Sequence, residues 1–179
     1  MQQENIIKIK EAIRSISDWP INGVIFRDLT TLMQNPETFR ESCDILYDRY
    51  KARGIDKIVG IDARGFVFGA VLAYKLGIGF VPVRKKGKLP FKTIQETYSL
   101  EYGKDTLEIH EDAVQKSEKV IVVDDLIATG GTIGATVKLL KKLGADIIEC
   151  AFIVELPDLN GRDKIDGCKV YAITEFEGE

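Results

Sequence analysis

The stretch VIVVDDLIATGGT, residues 120 to 132, joins an apolar run to two adjacent carboxylates and a loop of small, hydroxyl-bearing and glycine residues. Within it, Ala128, Thr129, Gly130, Gly131 and Thr132 offer backbone N–H groups uncovered by side chains, together with two hydroxyls. At a helix N-terminus such groups form a cradle for an anion. The Gly-Lys-Ser/Thr ending of the nucleoside-triphosphate loop is missing, as is the Gly-x-Gly-x-x-Gly of dinucleotide folds, so a monophosphate fits best. Asp124 and Asp125 would repel that phosphate unless they face something else. Carboxylates accept hydrogen bonds from sugar hydroxyls or hold a divalent cation through water. A ribose 5-phosphate satisfies every part of the stretch. A strand ending in Asp-Asp also occurs in phosphoacceptor receiver domains, and a Gly-Gly turn can be only a turn.

The elements that must carry this loop follow a strand and helix rhythm. Ile6, Ile9, Ile13 and Ile16, with Ala12, recur at helical spacing until the DWP that follows, which predicts an amphipathic first helix. In NPETFRESCDILYDRYKARG, Asn35 reads as an N-cap, Pro36 as the first helical residue and Gly54 as the stop. KIVGID, FVFGAVLAYKLG and GFVPV read as a β-α-β unit. A basic segment interrupted by Gly87 and Pro90 then leads into TYSLEY and DTLEIH, predicting a mobile loop and a hairpin. KVIVVDD, TIGATVKLLKKLGA, IIECAFIVEL and KVYAIT restore the rhythm. The fold class is therefore α/β, with a mostly parallel central sheet flanked by helices, in one domain over residues 1–179. Ligands of such sheets gather beyond the carboxyl ends of the strands.

Bulk composition narrows the partners. With 25 basic and 28 acidic residues the formal charge is -3, so there is no overall basic field for nucleic acid. Cys43, Cys150 and Cys168 lie far apart without metal-ligand spacing, which suits reduced thiols in a cytoplasmic protein. The N-terminal stretch alternates charge with isoleucine and lacks the apolar run of a signal peptide, and no later run approaches membrane-spanning length.

The apolar run, two acids, an apolar pair and ATGGT together resemble the phosphoribosyl pyrophosphate motif of the type I phosphoribosyltransferases. GVIFRDLT, GIDARGFVFGA, VPVRKKGKLP and YSLEYGKDTLEIH extend the likeness, in order, to the adenine-using members of that family, covering residue 23 to about residue 156. The resemblance implies that adenine N9 attacks C1′ of phosphoribosyl pyrophosphate, giving AMP and pyrophosphate. Asp124, Asp125 and residues 128–132 would hold ribose and its 5-phosphate. Magnesium would come with the substrate, and the protein alone supplies no metal cage; the spacing leaves open whether Asp124 or Asp125 meets ribose, or the metal through water. The family is usually homodimeric, which implies a homodimer here.

Further roles follow from the same likeness. Arg64, in DARGF, suits a diphosphate because a guanidinium holds phosphate oxygens in a fork; unaided it reads equally as a surface arginine. Lys85 and Lys88 are implied on the leaving group, whereas Lys86 and Arg84 belong to a run that could simply be solvated. Phe26 reads by type as core, and by resemblance as the ring stacked on adenine, with backbone groups of Ile25 and Arg27 at the base edge. A backbone carbonyl that accepts from the 6-amino group would reject a 6-oxopurine. Leu156 would close the other face of the base, although a leucine at a strand end is ordinarily core. Glu101 is implied as the proton acceptor or donor, Tyr102 as part of the closing lid, and residues from about 87 to 102 as that lid. By type alone, EYGK suits a solvated hairpin turn. Asp62 stands where many relatives have glutamate, which puts the geometry around Arg64 in question.

Two other readings remain. A regulator of the same fold, sensing phosphoribosyl pyrophosphate, would need a DNA-reading module or basic face that this acidic chain lacks. Transfer to xanthine or another 6-oxopurine is opposed by IFRD, ARGF and LEYGK through resemblance only.

Overall fold

The computed structural model describes residues 2–100, 103–165 and 167–178. Helix α1 (Gln2–Glu11) stops earlier than its isoleucine spacing predicts. Arg14–Ser17 instead forms strand β1, antiparallel to β2 (Ile25–Asp28), with Ile16 opposite Phe26. Local periodicity cannot weigh that partner. Arg14 Nη2 lies 2.6 Å from Asp28 Oδ2 and ties the two strands together.

A short helix α2 (Thr30–Gln34) leads into α3 (Pro36–Tyr50). As its sequence predicts, Asn35 caps α3, accepting from the N–H of Glu37 at 2.9 Å and of Thr38 at 3.4 Å, a contact worth about 1 kcal/mol. The helix ends at Tyr50 and not at Gly54, because burial of Cys43, Leu46 and Tyr50 is complete by then and the chain must turn toward the sheet.

Strand β3 (Lys57–Ile61), helix α4 (Arg64–Leu76) and strand β4 (Gly79–Lys85) form the expected β-α-β unit, with Gly77 closing α4 in the left-handed conformation. Strands β5 (Thr93–Leu100) and β6 (Gly103–His110) make an antiparallel hairpin. Strand β7 (Lys119–Ile127), helix α5 (Gly131–Leu143), strand β8 (Asp146–Glu155) and strand β9 (Val170–Glu175) complete the chain. The seven-stranded sheet has the order β5-β6-β4-β3-β7-β8-β9; β4 to β9 run parallel, and the hairpin attaches antiparallel through β6 and β4. The α/β class and mostly parallel sheet thus match the expectation.

Alternate strand residues feed two cores, one on each face of the sheet. Ile58, Ile121, Val123 and Ile153 pack with Ile9 of α1, Leu46 of α3, and Phe68 and Leu72 of α4. Val59, Val122 and Phe152 pack with Val137, Leu139 and Leu140 of α5. Central strands buried on both sides must read as continuous apolar runs, which is why KIVGI and VIVV are so plain in the sequence.

Two boundaries differ from expectation around the site. Strand β7 does not stop at Asp124 and Asp125; it pairs with β8 as far as Ile127 opposite Glu155. The segment expected as a mobile lid from 87 to 102 is regular strand from Thr93 to Leu100, paired throughout with β6. Glu101 and Tyr102 lie outside the described residues.

Candidate active site

The carboxyl ends of β3, β4 and β7 converge on the loop that follows β7. Residues 128–132 and the start of α5, with Asp124, line a pocket of about 110 Å³. Gly130 has φ of +77°, which only glycine adopts without strain, and it turns the chain into the N-terminus of α5. A Cβ on Gly130 would come within 2.2 Å of the Gly161 carbonyl oxygen, so the loop also needs glycine for space. The pocket thus brings together residues 128–132, the segment expected to hold a phosphate.

Asp124 and Asp125 point to different tasks. Asp125 is almost fully buried and forms an ion pair with Arg64, whose Nε donates to Oδ2. Burial alone would lower the Arg64 pKa, but the charge and hydrogen bond of Asp125, helped by Asp124 and Asp28, hold it above its ordinary value. Desolvation pushes the Asp124 carboxyl well above the usual carboxylate range, and the adjacent Asp125 charge acts in the same direction. Asp124 Oδ1 accepts from the Asp125 N–H at 2.9 Å. A Cβ at Gly65 would lie 2.7 Å from the Val123 carbonyl oxygen and 2.8 Å from Asp124 Oδ1. Glycine after Arg64 is therefore what lets the start of α4 approach the end of β7. Among the described residues, no cluster of three or more His, Cys, Asp or Glu is arranged to hold a metal. Two acids, one already engaged by arginine, fit a cation carried on substrate phosphates better than a cage made by the protein.

Lys85 ends β4 and reaches Asp105 of β6 at 2.9 Å; the contact holds the Asp105 carboxyl below its usual pKa and the lysine above its own. Lys88 projects from an exposed turn beyond β4. Arg84 donates from Nε to Asp62 Oδ2 at 2.9 Å and lies with Nη1 3.3 Å from the Lys88 carbonyl oxygen. It therefore bridges the two segments that carry Arg64 and Lys88.

Phe26 on β2 is half-buried and meets Trp19 edge-on, with ring centroids 4.3 Å apart. The Arg64 guanidinium is 6.0 Å from the Phe26 ring centroid, so β2 stands beside the start of α4. Among the described residues β2 pairs with β1 alone, leaving its other edge without a strand partner; Ile25 and Arg27, two residues apart, direct their backbone groups to the same edge. The Arg27 side chain turns away, donating to Ser15 Oγ at 2.6 Å and covering the Phe176 ring. Leu156, 7% exposed, joins the core and donates its N–H to the Ile127 carbonyl at 3.0 Å.

Comparison with known proteins agrees with this geometry. Residues 28–176 match the phosphoribosyl transferase domain family. A curated adenine phosphoribosyltransferase of Desulfosudis oleivorans is 62% identical over 171 residues, covering 96% of this chain and 99% of that protein. The chain belongs to the adenine phosphoribosyltransferase family. Crystal structures of family members have closely similar folds. The Thermoanaerobacter pseudethanolicus enzyme has a TM-score of 0.91 at 47% identity, covering 96% of this chain and 99% of its own. The Saccharomyces cerevisiae enzyme, solved with an imino-altritol bisphosphate and adenine, has a TM-score of 0.90 at 39% identity, with the same coverage.

Several residues of this phosphoribosyltransferase site escape a reading by motif. Tyr98 of β5 accepts from Thr132 Oγ1 at 3.3 Å and lies 3.5 Å from Asp105, linking the start of α5 to the partner of Lys85. Gly161 opens the second of two 3-10 turns (Pro157–Leu159 and Gly161–Lys164) and packs on the loop; its Cβ would lie 2.2 Å from the Ala128 carbonyl oxygen. A short LNGRD segment gives no sign of that contact. Tyr98 could have been suspected only from its alternation with Glu96 and Leu100 in a strand.

Proposed function

We propose that the protein makes AMP and pyrophosphate from adenine and phosphoribosyl pyrophosphate, as a purine-salvage enzyme of one domain acting in the cytoplasm. The observation that carries this reading is the Arg64–Asp125 pair, which joins the arginine after β3 to the end of β7, three residues before the loop 128–132. One substrate bearing a 5-phosphate and a diphosphate would span those two ends. Residues 128–132 hold the 5-phosphate, and Asp124 and Asp125 face ribose hydroxyls. Asp124 or Asp125 would reach, through water, a magnesium ion carried on the diphosphate, which would supply charge neutralisation and polarisation of the leaving group. Arg64, Lys85 and Lys88 surround the departing pyrophosphate, where negative charge grows as the ribose becomes oxocarbenium-like.

Adenine lies against Phe26, its edge on the backbone groups of Ile25 and Arg27, and Leu156 forms part of the floor. The open edge of β2 supports that placement. Glu101 exchanges a proton with the base, and Tyr102 helps to cover it. A homodimer completes the reading: the outer face of α4, starting beside Arg64, exposes Val67 by 40% and Tyr74 by 86%, and a second copy would cover both.

The test is pyrophosphate release with phosphoribosyl pyrophosphate and magnesium, run separately with adenine, hypoxanthine, guanine and xanthine. Release with adenine alone is expected. Release with an oxopurine would overturn the assignment of Phe26 and its neighbours, and binding without release would favour the sensor. Sedimentation velocity at micromolar concentration checks the dimer.

A further inference from the structure

The turn bearing Lys88 owes its shape to a residue on the neighbouring strand. Glu108 of β6 stands opposite Arg84 of β4 and is only 3% exposed. Its Oε1 accepts from the backbone N–H groups of Lys88 and Leu89, each at 2.9 Å. Oε2 lies 3.5 Å from Thr93 Oγ1 and 3.4 Å from Gln95 Nε2. Burial would push this carboxyl pKa up, but the N–H groups of Leu89, Gly87 and Lys88, with the Thr93 hydroxyl, hold it below its ordinary value. A shielded carboxylate is stable only where it is so well bonded.

The rest of the turn is fastened too. The Lys86 N–H donates to the Thr106 carbonyl at 3.0 Å, and the Lys88 N–H also reaches the Lys85 carbonyl at 3.2 Å. The Lys88 backbone is thus held at its N–H by Glu108 and approached at its carbonyl by Arg84. Its exposed ammonium extends from a fixed base.

We infer that Glu108 is a positioning residue for the diphosphate end of the site, clamping the 86–89 turn so that Lys88, with Lys85, stands ready for the leaving group. The inference rests on the reading of those two lysines as leaving-group cations. An apolar residue in place of Glu108 would fill the space but leave the turn's N–H groups unpaired, and the turn would reorganise to reach water.

The test is steady-state kinetics in both directions with Glu108→Ala and Glu108→Gln. Glu108→Ala is expected to raise the KM of phosphoribosyl pyrophosphate and of pyrophosphate at least fivefold, leaving those of adenine and AMP within twofold. Glu108→Gln keeps an oxygen for Lys88 and Leu89 and should return all four to within twofold of the parent. A fall in kcat with every KM unchanged, or an equal rise for adenine, overturns the clamp. If Glu108→Ala does not fold, amide hydrogen exchange of the parent decides: slow exchange at Lys88 and Leu89 is expected, and fast exchange overturns the inference. If the parent turns over no substrate, the reaction is wrong, and calorimetric titration with inorganic pyrophosphate reads the clamp separately. Weaker binding by Glu108→Ala then supports the clamp, and equal binding overturns it.

Discussion

Arg64 and Asp125, sixty-one positions apart, form an ion pair across the carboxyl ends of neighbouring strands β3 and β7. The pair joins a cation suited to a diphosphate to an acid suited to ribose, and it holds the guanidinium beside Phe26. Without a substrate, each satisfies the other's charge. A bound diphosphate would compete with Asp125 for the same guanidinium.

Replacing either partner should separate the two tasks. Arg64→Ala is expected to lower kcat/KM for phosphoribosyl pyrophosphate by about 100-fold, the scale of losing one oriented charge-stabilising donor. Arg64→Lys should recover only part of it, because a point charge cannot reproduce a planar fork. Initial-rate kinetics with both substrates varied checks this, and a full recovery by lysine would sink the bidentate reading.

Gly161 offers a test remote from the chemistry. In Gly161→Ala the new methyl would lie 2.2 Å from the Ala128 carbonyl oxygen and 2.8 Å from Ile127 Cγ1, and the carbonyl cannot yield without moving the loop that follows β7. A destabilisation of roughly 2 kcal/mol is expected from overpacking, with weaker binding of ribose 5-phosphate. Chemical denaturation and ligand titration measure the two effects, and unchanged ribose 5-phosphate affinity would detach Gly161 from the site.

Glu101→Leu should lower kcat by about 100-fold, within the usual range for a lost general acid or base, while leaving the melting temperature within a degree or two. Turnover near that of the parent would remove Glu101 from the proton transfer.

Asp28 links stability to pH. Hydrogen bonds from Thr30 and Arg14 lower its pKa from 3.8 to about 2. Because the folded value is depressed, the stabilisation is fully present above the usual aspartate range and is lost as pH falls through about 2. Asp28→Asn should therefore cost about 1 kcal/mol at pH 7, a figure reduced for solvent screening. The cost should shrink between pH 4 and pH 2. Urea unfolding of both proteins across that range checks the sign; a difference independent of pH would show that the ionised carboxylate is not the stabilising form.

What the sequence determined by itself was whatever depends on neighbours along the chain. Runs such as KIVGI and VIVV had to be strands buried on both faces, Asn35 with Pro36 had to open a helix, and Gly77 suited its end. ATGGT after an apolar strand already offered contiguous backbone N–H groups of the kind an anion cradle needs. Tertiary structure alone decided the remainder. Ile16 left its helical spacing because β2 offered backbone partners; β7 ran past its acids because β8 continued beside it; and Thr93–Leu100 of the expected lid became strand because β6 paired with it. The same holds for Arg64 with Asp125, Gly161 with the phosphate loop, and Glu108 with the Lys88 turn. Each joins residues at least 19 positions apart, and such contacts form only once strand order brings distant chain segments together. Periodicity and motif carry short-range energetics; the order of strands in a sheet is set by burial summed over the whole molecule.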